Sequence, residues 1–252
     1  MLRATRARLK QGFRTIGFPD KPPVLPEKYA GRPQWDAGRC KHDCMACIQA
    51  CPTEALSRKG DTLTIDLGRC LFCTDCTDVC PAKAIQFTAE YRLAARTREA
   101  LVADSRPAAL AQALDEQSRR LFGHSLKLRQ VSAGGCNACE ADTNVLNTVV
   151  FDLGRFGIQF VASPRHADGL LITGPVTKNM ELALRKTYEA TPAPKIVIAV
   201  GACAISGGLF ADHPETSNGA DTIIPVDLYV PGCPPHPITI LDGLLRLLGT
   251  IK

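Results

Sequence analysis

The cysteines constrain this chain more than any other feature: twelve in 252 residues, eight of them in two runs that repeat one pattern. Residues 40–52 read CKHDCMACIQACP, which spaces Cys40-x3-Cys44-x2-Cys47-x3-Cys51-Pro52. Residues 70–81 read CLFCTDCTDVCP, which spaces Cys70-x2-Cys73-x2-Cys76-x3-Cys80-Pro81. Each CP is followed by a short Ala-containing turn. Strand-like segments lie between the runs (TLTIDL) and after the second (AIQF). The result is a duplicated module of about 25 residues per half, too small to bury a stable core without cross-links or metal.

The compartment decides between those two. The segment MLRATRARLKQGFRTIGFPD has no apolar h-region, no small-residue cleavage site and no paired-Arg export signal, so it does not read as a secretory leader. No run of about 18 apolar residues occurs, so no bilayer-spanning helix is expected. The cytoplasm follows as the expected location. Disulfides are rare there, and clustered cysteines serve metal or redox chemistry. Soft thiolates without histidine partners suit iron–sulfur clusters. The 70–81 run has the spacing of bacterial two-cluster ferredoxins, in which the fourth cysteine serves the other cluster. One four-iron cluster is therefore expected on Cys40, Cys44, Cys47 and Cys80. A second is expected on Cys70, Cys73, Cys76 and Cys51. The extra residue between Cys40 and Cys44 alters that loop and leaves the ligand set unchanged. Met45, Ile48, Phe72 and Val79 are expected to shield these clusters from water.

The formal charge of +5 argues only weakly for nucleic acid, because an oxidised four-iron cluster with its thiolates carries roughly −2. The basic excess is concentrated in residues 1–35, with eight Lys and Arg against two Asp and Glu. Residues 1–17 read as a basic amphipathic helix. Leu2, Leu9, Phe13 and Ile16 share one face, with Arg3, Arg6, Lys10 and Arg14 around it, suited to a partner or a membrane surface. FPDKPPVLPEKYAGRPQW is a Pro-rich extended arm. Residues 36–90 hold the cysteine repeat. Residues 91–125 are rich in Ala, Arg, Glu and Leu and read as a helical connector interrupted at Pro107.

From residue 126 the pattern alternates between short apolar runs (LKLRQVS, IQFVAS, GLLITG, KIVIAVG, VDLYVPG) and helical stretches such as NMELALRKTYEA and HPITILDGLLRLLG. Alternating βα units predict an open, mostly parallel sheet with helices on both faces, covering 126–252. Ligands of such sheets bind at the carboxyl ends of the strands. Cys136 and Cys139, Cys203 and Cys233 all follow predicted strands, and so meet at one edge. Four thiolates there suit a four-iron cluster or zinc; alternatively Cys203 and Cys233 are buried small hydrophobes. Eight cysteines in the repeat and these four make twelve with none spare, which favours a third cluster. Glu140, beside Cys139, is either a proton relay or a structural partner. No His follows a CxxC, so c-type haem is excluded, and no Gly-rich dinucleotide loop appears.

These residues carry a family resemblance. The stretches CNACE, RFGIQFVASPRHADGLLITGPVT, KIVIAVGACAISGG and IIPVDLYVPGCPPHP resemble the proximal-cluster small subunit of energy-converting, formate-hydrogenlyase-type [NiFe] hydrogenases. That subunit is homologous to the 20 kDa subunit of complex I. FP-DKPP, the double Cys run and AEYRLA resemble the two-cluster ferredoxin subunit of the same complexes, so the chain resembles a fusion of the two. The resemblance implies an α+β ferredoxin-like domain followed by an α/β flavodoxin-like domain with an open parallel sheet. It also implies three [4Fe–4S] clusters and an electron-transfer subunit serving a catalytic large subunit (2H⁺ + 2e⁻ ⇌ H₂). Further partners are membrane subunits and an electron donor or acceptor such as ferredoxin or a formate dehydrogenase subunit; no nucleic acid is implied. The location is peripheral, on the inner face of the cell membrane. Spaced CxxC at 136–139, rather than adjacent cysteines, favours the hydrogenase type over a nickel-free, quinone-reducing relative. Asp142 stands where the family usually has a longer acidic side chain. A stand-alone ferredoxin-type carrier or sensor is the alternative of another class.

Overall fold

The computed structural model describes residues 2–41, 43–60, 62–104 and 110–251, with Lys59 described in its backbone only. Helix α1 (Leu2–Gln11) buries none of its residues. It stops at Gly12, whose φ of +64° suits a residue without Cβ. Leu2, Leu9 and Phe13 stay exposed. The chain then turns into the body of the protein. The Ile16 N–H donates to the Val150 carbonyl at 2.9 Å, and Phe18 is buried in the core of the C-terminal half.

The cysteine-rich half is two copies of one small unit. Strand β1 (Pro33–Trp35) leads into the first run, whose one-turn helix α2 (Ala46–Gln49) carries Cys47. Strands β2 (Leu56–Lys59) and β3 (Thr62–Asp66) form an antiparallel hairpin. In the second run, helix α3 (Asp75–Asp78) carries Cys76. Strand β4 (Ile85–Phe87) then returns to pair antiparallel with β1, Pro33 opposite Phe87. Leu56, Leu63, Ile65, Ile85 and Trp35 bury one face of these strands around Cys47 and Cys76. Ile48 and Phe72 pack against that core. Met45 and Val79, expected as shields, are instead 43% exposed each. Met45 precedes α2 and Val79 follows α3, whereas Cys47 and Cys76, inside those helices, are buried.

The connector departs from the helical expectation over 91–103. This stretch is extended, with a single 3₁₀ turn at Glu99–Leu101 and a two-residue strand β5 (Val102–Ala103) added to β3. Tertiary contacts override its helix propensity. Ala95 exchanges both backbone hydrogen bonds with Tyr229 (3.0 and 2.8 Å). Arg98 forks onto Asp66 through Nη1 and Nη2 at 2.7 and 2.5 Å. The interruption expected at Pro107 lies outside the described residues. Helix α4 (Glu116–Phe122), capped by Asp115 accepting from the Ser118 N–H, is the helical part of the connector among the described residues.

The C-terminal half contains each strand expected. They are β6 (Leu126–Ser132), β7 (Ile158–Phe160), β8 (Gly169–Thr173), β9 (Ile196–Val200) and β10 (Leu228–Val230). All pairs are parallel, in the order β10-β9-β8-β6-β7. β8, β9 and β10 are buried at every position, as parallel strands covered on both faces must be. Helices α5 (Ala138–Val145), α6 (Lys178–Ala190), α7 (Ala202–Ser206) and α8 (Pro237–Leu247) complete the half. Counted within this domain the order is 2-1-3-4-5, reversing direction between β6 and β8; ligands of open sheets sit at such a switch.

Helix α8 is buried along its whole length, including Thr239, Asp242 and Arg246. Its polar side is covered by the N-terminal arm, where the Tyr29 hydroxyl meets the Thr239 hydroxyl at 3.3 Å. The two halves are thus pressed together by the arm, by the 91–98 segment and by Gly68. A methyl group on Gly68 would fall 2.7 Å from Ile205 Cγ2.

Candidate metal centres

The cysteines gather into three groups of four. Cys40, Cys44, Cys47 and Cys80 line one cavity, walled by Ala46, Pro81, Ala84 and Ile85. Cys51, Cys70, Cys73 and Cys76 line a second, walled by Pro52, Leu56, Leu71 and Phe87. Each run therefore sends its fourth cysteine into the other run's cavity. The backbone makes this crossing by the same device twice. Glu54 and Lys83, each three residues beyond a CP cysteine, adopt φ of +52° and +47°. The turn brings the amides of Ala55 and Ala84 back onto the Cys51 and Cys80 sulfurs, both at 3.2 Å.

The third group forms where the parallel strands end. Cys136 and Cys139 follow β6, Cys203 lies in α7 after β9, and Cys233 follows β10. Two glycines at this edge leave no room for a side chain. A Cβ on Gly201, where φ is +92°, would lie 2.5 Å from Cys139 Sγ. One on Gly208 would lie 2.9 Å from Cys203 Sγ. The CNAC loop copies the CTDC loop of the other half. Asn137 and Thr74 follow the first cysteine with φ of +72° and +70°, and each begins the helix that carries the second.

The electrostatics of the three groups agree with this crowding. Burial pushes the Cys70 thiol up to about 12 and Cys76 to about 11. Burial, then the neighbouring Cys233 and Cys136, pushes Cys203 to about 11. Cys139 rises further from burial and from Cys203, Cys233 and Cys136. Cys80 moves the other way. Its burial is outweighed by the backbone amides of Ala84, Ile85, Ala82 and Lys83. Buried thiols repelling one another favour the neutral form unless a cationic core draws the protons off. Among the described residues no group of three or more His, Cys, Asp and Glu side chains is placed to hold a single metal ion. In the two ferredoxin-like groups the thiols stand around a space rather than about a point. All-thiol donor sets with amides aimed at the sulfurs fit an iron–sulfur core.

Cys47 and Cys76 share one buried cluster, so the first group adjoins the Cys51/70/73/76 group. Leu71 and Phe72, between Cys70 and Cys73, line a cleft with Cys233, so the third group adjoins it too.

Glu140 is buried, and its Oε1 accepts from the Ser132 hydroxyl at 2.6 Å and the Thr173 hydroxyl at 2.7 Å. Burial raises its carboxyl, but these two bonds outweigh it and hold the group below the usual carboxylate range. It thereby ties α5 to the ends of β6 and β8. Asp142 lies in a cleft beside Cys233, with Tyr29, Phe72, Pro235 and His236 around it. Sequence reading missed Thr173, the partner of Glu140, and Arg58. The Arg58 guanidinium Nη2 lies 3.4 Å from Cys40 Sγ and from the carbonyls of Lys41 and Cys44. The signal for Arg58 lies in the repeat: it follows Cys51 by the same interval at which Phe87 follows Cys80.

Comparison with known proteins places both halves. Residues 136–247 match the family "NADH ubiquinone oxidoreductase, 20 Kd subunit", and residues 39–84 match the 4Fe-4S dicluster domain. A probable membrane-bound hydrogenase subunit of Pyrococcus furiosus is 46% identical over 129 residues, covering 51% of this chain and 77% of that protein. Formate hydrogenlyase subunit 7 of Escherichia coli is 46% identical over 123 residues, covering 49% of this chain and 48% of that protein. An NADH-quinone oxidoreductase subunit of Desulfovibrio desulfuricans is 45% identical over 118 residues, covering 47% of this chain and 64% of that protein. The chain belongs to the 20 kDa subunit family of NADH ubiquinone oxidoreductase, is joined in one polypeptide to a 4Fe-4S dicluster domain, and is an iron–sulfur, electron-transfer oxidoreductase subunit.

Proposed function

We propose that the chain is the electron-transfer subunit of a membrane-associated, energy-converting hydrogenase complex. In this reading three [4Fe–4S] clusters are held by Cys40/Cys44/Cys47/Cys80, by Cys51/Cys70/Cys73/Cys76 and by Cys136/Cys139/Cys203/Cys233. Each cluster, when bound, supplies a one-electron couple. The observation that carries the reading is the presence of three four-cysteine groups, with the Cys51/70/73/76 group adjoining both others. The strand order 2-1-3-4-5 supports a flavodoxin-like C-terminal domain, with its cysteine edge at the carboxyl ends of the strands.

The chain's own residues do three things here. The Ala55, Phe72 and Ala84 amides donate to Cys51, Cys70 and Cys80 and stabilise negative charge on those sulfurs. Gly201 and Gly208 keep side chains out of the third group. Exposed Cys136 and Cys233 open that group to a neighbouring protein, which supports a catalytic large subunit docked at this edge over a stand-alone carrier. Glu140, saturated at Oε1 and held ionised, supports a positioning role ahead of a proton relay. Membrane subunits and a ferredoxin or formate dehydrogenase subunit complete the proposed partners. No helix among the described residues is long and apolar enough to cross a membrane, which accords with peripheral attachment at the inner face.

A second reading is favoured by the quinone-oxidoreductase relative: the same relay serving a nickel-free partner. Anaerobic isolation with native partners, followed by iron, nickel, zinc and sulfide analysis, separates the readings. About twelve irons per chain with nickel in equal amount is the expected result. The same iron without nickel moves the chain to the second reading. About eight irons with zinc overturns the third cluster.

A further inference from the structure

The two halves of the cysteine repeat are alike in backbone and place unlike side chains at one equivalent position beside their cysteines. Seven residues after each CP cysteine the returning strand presents a side chain to its own run. In the second half this residue is Phe87, which lines the cavity of Cys51, Cys70, Cys73 and Cys76 and packs edge-on against Phe72 at 6.2 Å. In the first half it is Arg58. Its Nη2 reaches Cys40 Sγ, the Lys41 carbonyl and the Cys44 carbonyl, each at 3.4 Å. These acceptors all belong to the loop that is one residue longer than its counterpart. The equivalent sulfur in the other half, Cys70, receives the neutral amide of Phe72 at 3.3 Å. The first run's leading cysteine thus meets a cation from the position at which the second run's cavity receives an aromatic ring.

We infer that Arg58 is a positioning residue that clamps the enlarged Cys40–Cys44 loop and, by donating to Cys40 Sγ, sets the reduction potential of the Cys40/Cys44/Cys47/Cys80 cluster above the value its cavity would otherwise give. This inference rests on the cluster assignment proposed above. Reduction adds negative charge to a cluster and its thiolates. A guanidinium hydrogen-bonded to a ligand sulfur favours the reduced form, and charge and sulfur hydrogen bonds are the protein's main controls over such potentials. The effect is local to the cavity of Cys40, Cys44, Cys47 and Cys80.

The test is a redox titration of the complete, anaerobically reconstituted chain, followed by electron paramagnetic resonance, for wild type, Arg58→Met and Arg58→Lys. Wild-type chain lacking three four-iron signals would sink the cluster assignment itself, separately from this inference. With three signals present, Arg58→Met should keep about twelve irons, lower the midpoint of one cluster and leave the other two unmoved. Arg58→Lys should fall between, since one ammonium restores the charge and cannot span the three acceptors. Three unchanged midpoints in Arg58→Met would overturn the inference. If Arg58→Met loses one cluster, Arg58→Lys decides: a lowered midpoint supports the role, and a midpoint equal to wild type overturns it.

Discussion

Ser206 donates its hydroxyl to the carbonyl of Gly68 at 2.9 Å, a buried bond between residues 138 positions apart. Gly68 lies just before Cys70, and Ser206 closes the helix that carries Cys203. The bond therefore joins the Cys51/70/73/76 group to the third through a short structural route. Ser206→Ala leaves a buried carbonyl without its donor and should cost about 1–3 kcal/mol. A lower denaturant midpoint under anaerobic conditions, with iron per chain unchanged, is the expected measurement.

The crossed cysteine groups can be read by counting iron. Cys47 and Cys80 line one cavity, so the double variant Cys47→Ala/Cys80→Ala should lose one cluster and keep about eight irons. Cys47 and Cys51 line different cavities, so Cys47→Ala/Cys51→Ala should lose two and keep about four irons. The opposite pair of counts would mean that each run serves only itself.

Gly201 has both a left-handed backbone and a sulfur where its Cβ would be. Gly201→Ala should displace Cys139 and empty the third group alone, leaving about eight irons and the two ferredoxin-type signals. Full iron in this variant would show that the edge has room to spare.

Asp242 and Arg246 form a buried pair on α8, with Arg246 Nε donating to Asp242 Oδ2 at 2.8 Å. Burial pushes the Asp242 carboxyl up, against the pull of Arg246. A carboxyl raised in this way contributes stability that is complete below the ordinary carboxylate range and is lost as pH rises through its folded value. Arg246→Met removes the opposing cation and should cost about 3–5 kcal/mol, more at pH 8 than at pH 5. The double variant Asp242→Leu/Arg246→Leu should regain most of it. Chemical denaturation at the two pH values checks both statements.

Much of this arrangement is legible in the sequence, because cysteine spacing and apolar runs are local signals. The five parallel strands fall where their apolar runs predict them, and each ferredoxin-like cavity is lined by three cysteines of one run and the fourth of the other. The connector was not legible. Ala, Arg and Glu favour a helix locally, but Arg98 finds Asp66 and Ala95 finds Tyr229, contacts that no window of sequence reveals. Burial of Phe18 is hidden in the same way, since the arm's proline pattern says extended and not what it will touch. Arg58 becomes visible only when the two halves are laid over one another, because its meaning comes from the residue it replaces.

The N-terminal arm has a consequence for manufacture. Residues 16–29 lie in sequence ahead of the ferredoxin-like half and in space within the other, with Phe18 in its core, the Phe18 carbonyl held by Arg155 at 2.7 Å and Tyr29 against α8. A cut between the halves would not release a separable ferredoxin, because the first fragment would take with it part of the second's interior. The two redox modules are therefore produced, folded and degraded in fixed one-to-one stoichiometry. Neither can be exchanged for another copy while the chain is intact.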